Sequence, residues 1–203
     1  MANLNSQHRR IGGELLSCRM ISLIPQAALR FLPLLQRFHA DATPHSGRHL
    51  IDHLAGTYRL LEAWGNPASI CRAGLFHSIY GTNIFTVRSA GFDQRPLIGD
   101  AIGAEAERLA FLFCSVDRPL ALLQALIRGD GALPDLATGG TLQIAPEDLA
   151  ALLEIEVANF LEQPEDPEII AQIDRIIRAV DPSVISPGAA AALDAYLASR
   201  RTS

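Results

Sequence analysis

Apolar residues recur at steps of three and four along most of this chain, the period of amphipathic helices. Pro25 to His39 carries Leu29, Leu32 and Phe38 in that rhythm. From Ser46 to Trp64, the positions Leu50, His53, Leu54, Thr57, Leu60, Leu61 and Trp64 share one face and predict a long helix. Gly65-Asn66-Pro67 ends it, since Gly suits a helix C-terminus and Pro cannot donate to a continuing ladder. A partner helix follows from Pro67 to about Ile79, with Ile70, Ala73, Gly74 and His77 on one side. Further helices are predicted over Ile102–Val116, Pro119–Arg128 and Pro146–Leu161, then up to about Val180, and after Pro187-Gly188. Pro146-Glu147-Asp148 is a good first turn, because acids there complement the helix dipole.

Between these helices lie turns. Asp41 to His45 is one. Residues 80–100, rich in Gly, Thr, Asn and Pro, predict a loop with one short helical turn, placed to act as a lid. The glycine-rich stretch 129–144 predicts a β-hairpin or an open loop. Residues 1–20 read as a loose arm and 21–203 as one domain. The expected fold class is all-α, a helical bundle with a short hairpin near 129–144.

Composition narrows the function. At 203 residues with 49% hydrophobic and 6% aromatic side chains, the chain can bury a helical core rich in Ala and Leu. A net charge of −5 without a basic stripe argues against a nucleic-acid partner. The stretch Leu15–Leu35 is interrupted by Arg19, Pro25, Arg30 and Pro33, so no membrane span is expected. Cys18, Cys71 and Cys114 form no CxxC pair, which favours small buried apolar roles and a cytoplasmic location. The expected partner is a small-molecule ligand, anionic in one reading. Leu193, Tyr196 and Leu197 on the last helix are candidates for a homo-oligomer contact.

The histidines carry the candidate chemistry. His45, His49 and His53 stand four apart, and His49 with His53 has the spacing of a helical metal-binding pair. His45 follows Pro44 and reads as a surface or supporting residue. His53 and His77 lie about equally far from the Gly65 turn, so folding the two helices antiparallel brings their imidazoles together. Buried imidazoles need a partner for each ring nitrogen: a shared metal, a shared ligand or carboxylates. Tyr80 and Arg48 flank the expected pocket, and Arg88 and Arg95 lie on the expected lid, where they can bind an anion.

His53, followed by Ala73-Gly-Leu-Phe-His77-Ser78-Ile-Tyr-Gly-Thr82, resembles the first two helices of the HD superfamily. Ile102–Leu109 and Glu154–Glu162 resemble later helices of the subgroup that contains the stringent-response nucleotide hydrolases. The likeness covers roughly residues 45–163, and extends to a bacterial group of HD-like proteins without an assigned function. It implies a metal-dependent hydrolase with His53 and His77 as ligands. The family's two aspartates are replaced, however, by Ser78 and Asn159, which are weak neutral donors. The resemblance then leaves at most one divalent metal (iron, manganese or zinc), completed by Asp117, Glu154, Glu156 or His49. Three readings stay open. One is a hydrolase of phosphorylated or nucleotide-like substrates, with iron oxygenase chemistry as a variant. Another is a metal-free protein using the His53/His77 pocket for ligand binding or acid–base work, with Tyr80 and Arg48 assisting. The third is a structural or interaction protein whose histidines are satisfied core residues.

Overall fold

The computed structural model describes residues 8–11, 14–17, 24–163 and 167–201. Among them are nine α-helices, two 3-10 turns and three two-stranded antiparallel hairpins. The all-α class is borne out, with the expected hairpin formed by β5 (Ala132–Pro134) and β6 (Thr141–Gln143). The arm falls largely outside the described residues. Within it, β1 (His8–Ile11) pairs with β2 (Glu14–Ser17), where a loose segment was expected. Gly12-Gly13 separates the two runs in sequence, a pattern that favours tight hairpins.

Several boundaries move for local reasons. The first helix begins as a 3-10 turn over Gln26–Phe31 and becomes α-helical only at α1 (Leu32–Arg37), where Pro33 takes a first-turn position that needs no N–H partner. β3 (Pro44–His45) and β4 (Arg48–His49) make a small hairpin around Ser46 and Gly47, whose φ values are 47° and 79°. This delays α2 to Leu50–Ala63, and the Asp52 carboxylate accepts the His49 N–H at its start. α3 is short, Ala68–Phe76. The expected loop before residue 102 holds a further helix: α4 (Arg95–Ile102) has Pro96 in its first turn and breaks at Gly103, φ 95°, before α5 (Ala104–Ser115). α6 (Leu120–Arg128), α7 (Pro146–Glu162), α8 (Pro167–Val180) and α9 (Pro187–Arg201) follow close to expectation.

α7 is the axis of the molecule. Residues 151–160 are buried without a break, so this helix is enclosed on all sides, as helices apolar around their full circumference are. α2, α3, α5, α6 and α9 all pack on it. α2 and α3 lie side by side, and a Cβ on Gly74 would overlap Leu61, so the absence of a side chain there sets their close approach. Leu193 is buried at 1% exposure, which commits much of the last helix's apolar face to the domain itself. Among the described residues no single helix is long and apolar enough to cross a membrane.

Candidate functional site

The α2–α3 pair brings its two histidines together. His53 and His77 have no solvent exposure, and their Nε2 atoms are 3.1 Å apart. His77 Nδ1 donates to the Gly74 carbonyl at 2.6 Å, because a carbonyl can only accept. His53 Nδ1 lies 2.5 Å from Glu162 Oε2, at the end of α7. The same carboxylate oxygen receives Nη2 of Arg48. Gly56 on α2 makes the space, since a Cβ there would land on the Glu162 carboxylate.

These contacts impose a proton count. Gly74 O to His77, His77 to His53, and His53 to Glu162 are three short contacts between lone-pair atoms, and each requires one hydrogen. Two neutral imidazoles supply two. The third must be a proton held by the Glu162 carboxyl or by one of the rings. Burial, ahead of any neighbour, pushes His53 down to about 3 and His77 well below the ordinary imidazole range. Burial also raises Glu162, and the guanidinium of Arg48 only partly opposes this. All three directions favour Glu162 over either ring as the holder of the third proton. The array then runs from the Glu162 acid to His53, from His53 to His77, and from His77 to the backbone.

A cavity of about 670 Å³ opens beside this array. Its polar end is made by His45, Ser78, Arg118, Asn159 and Gln163, and its walls by apolar residues of α6, α7 and α8 with Phe85. His53 and His77 do not line it. His45 and Gln163 touch both: the His45 ring centroid is 4.6 Å from that of His53, and Gln163 Nε2 is 3.4 Å from His53 Nε2. The two imidazoles converge as expected, but they do not line this cavity: the pocket expected around His53 and His77 is replaced by one whose wall stands a layer in front of them. Burial, then the charge of Arg48, lowers His45 as well.

The other expected site residues are dispersed. His49 is exposed at the start of α2, facing none of the array. Asp117 is exposed and takes the Asn83 amide at 2.7 Å. Glu154 is buried but accepts Asn66 and the Ser186 backbone N–H near the α2–α3 turn. Glu156 is bonded at 2.7 Å to Arg118, both almost fully buried. Arg48 reaches Glu162 rather than the cavity. Tyr80 turns away to donate to Glu107 at 2.9 Å, and its hydroxyl is held well above its ordinary range by burial and that carboxylate. Arg95 pairs with the same Glu107 and stacks on Phe111, while Arg88 stacks on Phe92, so neither lid arginine lines the cavity. Cys114 donates to the His77 carbonyl and burial pushes its thiol up to about 12, an inert state. Cys18 lies outside the described residues.

Residues 34–118 match the model of a family described as a domain of unknown function (DUF6817). No curated protein and no solved structure matches the chain. The matched segment contains His45, His53, His77 and Arg118 and stops short of α7, which supplies Glu156, Asn159 and Glu162. Glu162, Arg118 and Gln163 were not singled out from sequence. A signal existed: Asn159, Glu162 and Gln163 stand at i, i+3 and i+4, a polar edge at the C-terminal end of the helix.

The residues do not fit the divalent metal that the HD likeness implies. Two Nε2 atoms do converge with their Nδ1 atoms engaged elsewhere, as metal-bound imidazoles require. Beyond them, however, stand the neutral Ser78, Asn159 and Gln163 and the cation Arg118. Glu156 and Glu162 are committed to Arg118, and to His53 and Arg48. Among the described residues no three His, Cys, Asp or Glu side chains are gathered to hold a metal ion.

Proposed function

We propose that this protein binds a small organic molecule in the α6–α7–α8 cavity and offers it an acid–base relay through Glu162, His53 and His77, without a metal. The reading rests on one observation: a buried array that needs three protons where two neutral imidazoles bring two, set behind the polar end of a cavity. When a bound molecule displaces Gln163, His53 can pass its Nε2 proton to that molecule. His53 Nδ1 then takes the proton of Glu162, and the carboxylate left behind is balanced by Arg48. The protonated ligand donates a hydrogen bond back to His53 Nε2, and His77 Nε2, which loses its donor in this step, favours return of the proton and makes the relay reversible. We further propose that the histidine pair descends from an HD-type site whose metal was lost with its aspartates, as Ser78 and Asn159 suggest.

The test is nitrogen-detected NMR of the imidazoles. Both rings should be neutral at pH 7, with hydrogen on His77 Nδ1 and His53 Nε2. An untagged preparation with near-stoichiometric iron, manganese or zinc that disappears in His77→Ala would overturn the reading.

A further inference from the structure

We infer that the cavity's ligand is a largely apolar molecule ending in a single carboxylate, seated at the Arg118–Asn159 end. This rests on the pocket reading above and adds the chemical class of the occupant.

Charge is the first observation. The chain has 22 acids against 17 Lys and Arg, yet among the described residues Arg118 is the one charged side chain lining the cavity and no Asp or Glu does so. The second is a pair of unpartnered buried nitrogens, of which the Arg118 Nε–H can only donate. Arg118 is 4% exposed; Nη1 binds Glu156 and Nη2 binds Thr82, but Nε is buried with no partner. His45 Nε2, at the same end, is also buried and unpartnered. Leaving such groups unmatched is costly, so an acceptor head that meets them is favoured. The third is valence. Glu156 already balances part of the guanidinium charge, which suits a monoanion better than a dianionic phosphate. The fourth is the body of the site. Leu123, Phe160 and Ile173 form apolar walls, and Ile84, Leu120 and Ile169 stand at the lining while 63%, 56% and 39% exposed. An exposed apolar rim leading to a polar end is shaped for an amphipathic ligand.

Calorimetric titration of the full chain with octanoate, octanol, octylamine and octyl phosphate, all below their micelle concentrations, tests the assignment. Octanoate should bind about tenfold more tightly than each of the others, as expected for a charge-assisted hydrogen bond. Arg118→Gln should abolish that preference. Because Arg118 is a core residue, a second pair of variants leaves the core alone. Ile169→Lys at the rim should strengthen octanoate binding and Ile169→Glu should weaken it, each by roughly threefold. Equal or tighter binding of octanol, octylamine or octyl phosphate overturns the carboxylate assignment and leaves the pocket reading standing. Binding by none of the four overturns both.

Discussion

Gly56 is where a single atom decides the array. On an open helix face, Gly→Ala would stabilise by about 1 kcal/mol. Here the added methyl falls on the Glu162 carboxylate, and overpacking of that kind costs about 1–3 kcal/mol. Gly56→Ala should therefore destabilise the protein on balance and separate Glu162 from His53. Urea unfolding with the His53 nitrogen shifts would report both, and a more stable variant with unchanged shifts would contradict the geometry. Arg118 and Glu156 form the other decisive contact. Glu156→Gln strands a guanidinium with 3% side-chain exposure, so a loss of about 3–5 kcal/mol is expected from denaturant midpoints. The histidine pairing was legible in sequence because the offset from a helix turn is simple arithmetic. The partners of Glu162 were not, because that contact joins side chains 109 positions apart.

At the level of elements, the helical period located most of the helices and the turns between them. It failed where local backbone chemistry intervenes. The missed helix α4 is the clearest case: residues 80–100 read as a loop, although Ile98 and Ile102 keep the helical step, and α4 stops at Gly103, which adopts φ 95° and ψ 140°. That region is nearly closed to residues with a Cβ, so Gly103→Ala should cost about 2–3 kcal/mol, read as a lowered urea midpoint. A neutral outcome there would mean that the α4–α5 joint is not strained by a side chain. The start of α2 was misplaced for a similar reason. Ser46 and Gly47 turn with positive φ, which sends His45 back toward His53 and leaves His49 outside.

For the whole molecule, the buried histidines set the pH response. A ring that stays neutral in the folded state while its unfolded counterpart protonates makes stability complete above pH 6.5 and progressively smaller below it. His53, lowered to about 3, and His77, lowered further, both act this way. Glu162, raised by burial, works in the opposite sense, since its contribution is present at low pH and lost as pH rises through its folded value. Two histidines against one carboxyl leave a net loss that starts shallow just below pH 6.5 and approaches about 1.4 kcal/mol per pH unit roughly a unit lower, as the unfolded histidines become fully protonated. Unfolding free energies measured from pH 7.5 to 4.5 should show that slope, and His53→Gln should reduce it. A flat profile would show that the rings are not held neutral.

Taken alone, the order of residues determined the fold class, the sites of the main helices and the meeting of His53 with His77. All of these follow from short-range periodicity and turn chemistry, which are local properties of the chain. Only the packed molecule decided what those histidines face. Folding sent Glu154 and Asp117 elsewhere, paired Glu156 with Arg118, and placed Glu162 and Gln163 at the site. Partner choice among buried polar groups depends on which helices lie against one another, and here that is settled by how α7 is enclosed.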